Sequence, residues 1–138
     1  MDKEFCTYNQ ALALKELGFD EPCLLSLSWI NGYNTYTEKS NEPKAWISSN
    51  VEIKYDFSQF KVDFKDVYHV EIQIPLYQQV FRWFREKYGY LPNIHNFDGN
   101  FKATLSGSWF NWSGSWKKTY EEAESACLDK LIEIIKNK

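Results

Sequence analysis

The hydrophobic positions near the start of the chain follow the period of a helix. In "TYNQALALKELGFDEP", Thr7 and Gln10 have the spacing of a capping box, in which side chains satisfy the first backbone N–H groups of a helix. Gly18 then supplies a left-handed stop, and Pro22 prevents continuation. The apolar face consists of Ala11, Leu12, Leu14 and Leu17. The pattern therefore predicts a helix that begins after Thr7 and ends at Gly18.

From Cys23 to Ile74 the period changes to the two-residue alternation of strands. In "VEIKYDF", for example, Val51, Ile53, Tyr55 and Phe57 share one face, as in a half-solvated antiparallel strand. The polar stretch "TEKSNEPK" predicts a loop. The segments with strand character are "CLLSLSWI", "YNTYT", "KAWIS", "VEIKYDF" and "VYHVEIQI".

The segment "PLYQQVFRWFREKYGYLP" predicts a second helix, with Pro75 at its first position and Gly89 at its end. The sequence "FDGN" that follows predicts a hairpin, because Asp-Gly tolerates the positive φ angles of a two-residue loop. Such a loop pairs Phe97 with Asn100, and two residues further on it pairs His95 with Lys102. A third strand is expected within residues 106–116.

The last helix is predicted over "TYEEAESACLDKLIEIIKNK", where Thr119 and Glu122 repeat the capping-box spacing. Glu121, Glu122 and Glu124 suit the positive end of its dipole. The whole pattern has the order α–β-rich–α–βββ–α. It predicts an α+β fold of antiparallel strands with three helices. A length of 138 residues is typical of a single domain, here residues 1–138.

Charge and aromatic content modify this picture. The net charge of −3 argues against general nucleic-acid binding. The segment from Arg82 to Lys118 nevertheless holds six basic and two acidic residues, a local charge of +4, so the remainder carries −7. Aromatic residues make up 18% of the chain, a high share that favours ligand or partner binding. The basic segment is either a site for an anionic ligand or a set of solvated charges.

The tryptophans of "SGSWFNWSGSW", residues 106–116, allow two arrangements. If the segment from Trp109 to Trp116 is one strand, Trp112, Gly114 and Trp116 share a face, and the glycine leaves a gap between two indoles. If Phe110-Asn111 form a turn, Trp109 and Trp112 become a cross-strand pair that holds a hairpin together. Stacking faces beside cations are what nucleotides require. The predicted ligand-binding residues are therefore Trp109, Trp112, Trp116, Arg82, Arg85, Lys117 and Lys118.

Catalytic motifs do not emerge from the sequence. His69 and His95 stand in no recognisable nucleophile motif, and no glycine-rich loop has the phosphate-cradling pattern. The three cysteines are odd in number, which favours a reducing cytosol, and they are not spaced with the histidines as metal ligands. No signal peptide or apolar run of about 20 residues is present. We therefore expect a cytoplasmic protein without enzymatic activity, metal or cofactor.

Two resemblances add to this expectation. The segments "NQALALKELGFDEPC", "PLYQQVFRWFREKYGY" and "TYEEAESACLDKLIEII" resemble small uncharacterised proteins of phages and prophages of Bacteroidetes-type bacteria. This resemblance covers about half of the chain and implies a phage-related accessory protein, with no chemistry to assign to any residue. In addition, the order α-β-β-β-α after Pro75 resembles that of a double-stranded RNA-binding domain, although Lys117 and Lys118 precede the last helix and acidic residues follow them.

These observations lead to one functional hypothesis with two alternatives. We expect a non-enzymatic, phage-related binding protein, such as a host-defence antagonist that sequesters a nucleotide-like signalling molecule. The first alternative is a protein-interaction module that binds a host protein through the same aromatic residues. The second is an RNA-binding module. We also expect a homodimer, because antiparallel strands leave exposed edges.

Overall fold

Helices and strands follow one another in the order that the sequence pattern predicts. The computed structural model describes residues 2–30, 44–47, 51–53, 69–107 and 110–138. Within these ranges lie a short 3₁₀ helix, Asp2–Glu4, and three α-helices: α1 (Tyr8–Glu16), α2 (Tyr77–Tyr88) and α3 (Tyr120–Lys136). The strands are β1 (Leu25–Ile30), β2 (Lys44–Ile47), β3 (Val51–Ile53), β4 (His69–Ile74), β5 (Leu91–Phe97), β6 (Asn100–Ser106) and β7 (Asn111–Ser113). The predicted α+β fold is confirmed.

Some sequence predictions fall outside the described residues. These are the strand "YNTYT", the loop "TEKSNEPK", the second half of "VEIKYDF" and the position of Trp109. In the part of the chain that is described, no helix is both long and apolar enough to cross a membrane.

The chain divides into two compact units, Met1–Pro75 and Leu76–Lys138. The prediction of a single domain therefore stays a prediction. In the first unit, β1 pairs antiparallel with β2 on one side and with β4 on the other, and the strand order is β3-β2-β1-β4. Helix α1 packs against β4. The buried side chains of this unit include Ala11, Leu14, Leu25, Ile72 and Ile74.

Helix α1 begins and ends as its sequence predicts. The backbone N–H of Gln10 donates to the Thr7 hydroxyl at 3.2 Å, and the backbone N–H of Thr7 donates to the Gln10 side-chain oxygen at 3.0 Å. This reciprocal pair is the capping box. At the other end Gly18 has a φ of 96°, and the N–H of Phe19 reaches back to the Leu14 carbonyl. Gly18 thus ends the helix by entering the left-handed region.

The second unit contains α2, the antiparallel sheet β5-β6-β7 and α3. The predicted hairpin is confirmed: Phe97 pairs with Asn100 and His95 with Lys102. Asp98 and Gly99, the two loop residues, have φ angles of 52° and 77°. Two central residues with positive φ are what a two-residue hairpin loop needs. The turn chemistry therefore sets the register of β5 against β6.

One face of the three-stranded sheet is covered by helix. Successive residues of a strand point to opposite faces, and Ala103 and Leu105 of β6 are both buried. Phe101, on the same face, meets the ring of Tyr120 of α3 edge-on at 6.0 Å. Helix α3 packs on β6 and β5, and α2 packs on β5 and α3. We call this side the covered face and the other side the open face.

Two details of the helices differ from the sequence prediction. Pro75 does not occupy the first position of α2, because Leu76 is the extended N-cap residue and the helix begins at Tyr77. Instead, the Pro75 carbonyl accepts a hydrogen bond from the N–H of Cys6 at 3.0 Å. Glu124, which the sequence assigns to the positive end of the α3 dipole, lies beyond the first turn of the helix: it is buried and accepts a hydrogen bond from the Gln78 amide at 3.0 Å. Its carboxylate thus holds α3 to α2.

The two faces predict losses of stability of different size for the same leucine-to-alanine truncation. Leu105 of β6 is 1% exposed, whereas Leu91 of β5 is 51% exposed on the open face. We expect Leu105→Ala to lower the free energy of unfolding by about 2–5 kcal/mol, the usual cost of a cavity in a core. Leu91→Ala is expected to cost about 1 kcal/mol or less. Urea denaturation measures both, and equal losses would contradict the assignment of the faces.

Candidate functional site

The third strand of the sheet contains an irregularity that decides where its tryptophans lie. β7 pairs with β6 so that Trp112 stands opposite Leu105, and the N–H of Gly114 donates to the Ala103 carbonyl at 2.9 Å. Further on, Phe101 and Lys117 exchange two backbone hydrogen bonds of 2.8 and 2.6 Å. Three steps from Gly114 to Lys117 thus oppose two steps from Ala103 to Phe101. One extra residue is accommodated, as in a β-bulge.

Trp112 lies on the covered face. It stands opposite the buried Leu105, and its side chain is half-buried. The indole ring lies against the backbone of Gly114: a Cβ atom at that glycine would come within 2.7 Å of the ring. A larger residue at position 114 would therefore displace the Trp112 ring. Trp112 serves the hairpin core.

Trp116 lies on the open face, because the extra residue reverses its direction relative to Trp112. Its ring centroid is 6.1 Å from that of Phe97, and the Nζ atom of Lys102 is 4.8 Å from the indole centroid. Phe97 is 71% exposed and Trp116 48% exposed. Phe97, Lys102 and Trp116 form what we call the open-face cluster. It presents two aromatic surfaces and one ammonium group to solvent.

His95 extends the open-face cluster along β5. It stands opposite Lys102 across the hairpin, on the same face as Phe97. Its Nε2 atom is hydrogen-bonded to the hydroxyl of Thr104 at 3.0 Å, which fixes the orientation of the ring. The imidazole thus adds a third flat ring, held in place by a neighbouring strand.

Neither arrangement considered for the tryptophan segment is correct. A single strand from 109 to 116 is excluded, because β7 ends at Ser113 and the bulge follows. A turn at Phe110-Asn111 is excluded as well, since Asn111 already pairs with Ser106 in β7. Next to the pair of Ser106 and Asn111, the N–H of Gly107 donates to the Phe110 carbonyl at 2.8 Å. The cross-strand partner of Trp112 is Leu105, and Trp109 lies outside the described residues.

The predicted ligand-binding residues are spread over several surfaces. Arg82 and Arg85 are exposed on α2, which packs on β5 and α3, whereas Trp112 belongs to the strand at the other edge of the sheet. Lys117 is half-buried in the bridge to Phe101, and Lys118 is exposed before the cap of α3. Among the predicted ligand-binding residues that the structure describes, only Trp116 belongs to the open-face cluster. A binding role for any of these residues stays a prediction.

Sequence reasoning missed Phe97 and Lys102. The signal was present in the hairpin: once Phe97 is paired with Asn100, two-residue alternation places His95, Phe97 and Lys102 on one face. What the sequence hides is the bulge, which brings Trp116 to that same face. Nor did the sequence pattern predict the cation–π contact of Lys87, whose Nζ atom lies 4.8 Å from the Trp83 ring centroid.

The thiols of the chain are poor nucleophiles in this structure. Burial, together with the nearby carboxylate of Glu21, raises the pKa of Cys23 to about 11. Burial and then Glu124 raise the pKa of Cys127 to about 12, and burial also raises that of Cys6. All three thiols therefore stay protonated at neutral pH, where the reactive thiolate form is scarce. Among the described residues, no three His, Cys, Asp or Glu side chains are grouped to hold a metal ion.

Compared with protein families, curated proteins and solved structures, the chain matches none of them. We therefore infer the function of this protein from the geometry of the described residues.

The positions of the two tryptophans predict a clear difference in stability. Trp112→Ala removes a ring packed between the covered face and Gly114, and we expect it to lower the free energy of unfolding by about 2 kcal/mol or more. Trp116→Ala removes one exposed aromatic pair and one cation–π contact, which together contribute about 1 kcal/mol. Chemical denaturation of both variants checks this. A larger loss in Trp116→Ala would contradict the bulged register.

Proposed function

We propose that this protein is a non-enzymatic binding protein that takes up a nucleotide-like anion on the open face of its three-stranded sheet. The observation that carries the proposal is the open-face cluster, where the exposed rings of Phe97 and Trp116 lie beside the ammonium group of Lys102. Exposed rings on a sheet held rigid by helices are a stacking platform.

The chemistry of the open-face cluster favours a ring that carries negative charge. Stacking of a base on an aromatic side chain contributes about 1–3 kcal/mol and tolerates any base, because every base has a π-face. Phe97 offers most of its ring for such a contact. Lys102 supplies the positive charge for a phosphate or another anionic group beside the stacked ring. Neither a neutral aromatic ligand nor a simple anion would use both features.

Several observations support a binding role over catalysis. The three thiols are protonated at neutral pH, which argues against a cysteine nucleophile. The His95 ring is hydrogen-bonded to the Thr104 hydroxyl on an exposed part of the hairpin. The open-face cluster is a surface, and an enzyme needs a site that excludes water from the reacting atoms. Binding requires only the rings and the cation.

The biological setting that we propose follows the resemblance of the helices to phage and prophage proteins. A phage-related protein in the bacterial cytosol gains from sequestering a nucleotide-like host defence signal. Such a role requires affinity without turnover, which the open-face cluster suits.

Self-association through the sheet edges also stays a prediction, for which light scattering is the direct measurement: a particle near the chain mass of 16.4 kDa would contradict it.

Two alternatives use the same part of the chain. A host protein would engage Phe97 and Trp116 as the anchors of an interface. Double-stranded RNA would be bound mainly through its phosphates, and therefore through basic residues such as Arg82, Arg85 and Lys118. We favour the nucleotide-like ligand, because the exposed rings and Lys102 lie together on one face whereas the other basic residues are dispersed.

A thermal-shift panel of linear and cyclic mononucleotides and dinucleotides tests the proposal. A ligand present at about 100 times its Kd adds about 2.7 kcal/mol to the stability of the folded state and raises Tm. We expect at least one member of the panel to do so. Phe97→Ala and Trp116→Ala should each weaken binding by about 1–3 kcal/mol. Lys102→Gln should weaken it and reduce its dependence on salt.

Leu91→Ala is the matched control, because it removes an exposed apolar side chain from the same face, six residues along β5 from Phe97. It should leave the affinity unchanged. Arg82→Gln, Arg85→Gln and Lys118→Gln test the basic residues that the sequence predicts. A flat response across the panel would contradict the proposal. Binding of a short RNA duplex that depends on these three variants, without binding of free nucleotides, would instead favour the RNA alternative.

A further inference from the structure

The first unit contains a pocket that the open-face cluster does not involve. It has a volume of about 420 Å³ and lies where the end of α1, the turn after it and β4 meet. Its lining residues are Ala11, Lys15, Gly18, Phe19, Asp20, Glu21, Ile72 and Gln73. Pockets of about 300–1,000 Å³ with an apolar lining and few polar groups are typical of small-molecule sites.

The floor of this pocket is apolar and rigid. Ala11, Phe19 and Ile72 are all buried, and they come from three different segments of the unit. Gly18, with its φ of 96°, turns the chain so that Phe19 folds back, and the N–H of Phe19 is bonded to the Leu14 carbonyl at 2.9 Å. The signal that ends α1 thus also builds one wall of the pocket.

The rim of the pocket carries charges of both signs. Lys15 and Asp20 are exposed, and within the described part of the chain neither has an ion-pair partner. The Gln73 side-chain oxygen accepts a hydrogen bond from the N–H of Cys23 at 3.2 Å. This bond fixes the amide group and leaves its Nε2 atom as a donor. The rim therefore offers two carboxylates, Asp20 and Glu21, together with one ammonium group and one amide donor around an apolar floor.

We propose that this pocket binds a small zwitterion with an apolar side chain, the chemical class of the free apolar amino acids. Asp20 accepts hydrogen bonds from the ligand ammonium group, and Lys15 and the Gln73 amide donate to its carboxylate. The apolar side chain lies on Ala11, Phe19 and Ile72. Since neither Asp20 nor Lys15 has an ion-pair partner among the described residues, the ligand gains both interactions without breaking an ion pair there.

Three probes of one shape separate the contributions. L-phenylalanine has both charges, 2-phenylethylamine has only the ammonium group, and 3-phenylpropionate has only the carboxylate. Their affinities are measured by titration of the full chain, following backbone amide NMR shifts. One charge-assisted hydrogen bond corresponds to about tenfold in Kd, so L-phenylalanine should bind about tenfold more tightly than either single-charge probe. The shifts should centre on Ala11, Gly18, Phe19 and Ile72.

Exposed charge substitutions then test the rim. Asp20→Asn should weaken the binding of L-phenylalanine about tenfold and leave the affinity for 3-phenylpropionate unchanged. Lys15→Gln should weaken the binding of 3-phenylpropionate and leave the affinity for 2-phenylethylamine unchanged. Glu4→Gln and Lys3→Gln are matched controls, because both residues are exposed and neither lines the pocket. Both controls should leave all three affinities unchanged. All four variants alter exposed residues and are expected to fold normally.

Two results would overturn this proposal. One is that the three probes bind equally, which would show a hydrophobic pocket without recognition of charge. The other is that none of them shifts the amides of the pocket residues at millimolar concentration. Because the pocket shares no residue with the open-face cluster, either result leaves the proposed nucleotide-like ligand untouched.

Discussion

The packing of α3 on one face of β6 is the constraint on which the second unit depends. Once Ala103 and Leu105 are buried beneath the helix, strand alternation assigns every residue of the hairpin to the covered or the open face. The Asp98-Gly99 turn fixes the register of β5, and with it the positions of His95 and Phe97. The binding site that we propose lies on the face that no helix of the unit covers.

The bulge before Lys117 places Trp112 and Trp116 on opposite faces of the sheet. Without the extra residue, Trp116 would stand opposite Phe101, on the same face as Trp112. With it, Trp112 packs on Gly114, and Trp116 joins Phe97 and Lys102. Bulges that redirect a side chain are common beside functional sites. The two tryptophans of a segment that repeats "SGSW" thus have different surroundings.

The local signals in the sequence predicted the elements well, and the predictions failed where longer contacts decide. The Thr7 and Thr119 caps, the Gly18 stop and the Asp98-Gly99 hairpin depend on residues close in the chain, and all are present. The tryptophan segment was misjudged because a bulge depends on pairing with β6. The burial of Glu124 likewise depends on Gln78, 46 residues earlier. The pocket in the first unit gave no local signal, since its lining comes from α1, the turn after it and β4.

The two indole N–H groups of Trp112 and Trp116 provide the most direct test of the open-face site. Their signals in a ¹H–¹⁵N NMR spectrum can be assigned with Trp112→Phe and Trp116→Phe variants, and then followed while the nucleotide that gives the largest thermal shift is added. The account predicts that the Trp116 indole signal moves with saturation while the Trp112 signal stays in place. Movement of the Trp112 indole alone, or of neither, would contradict it.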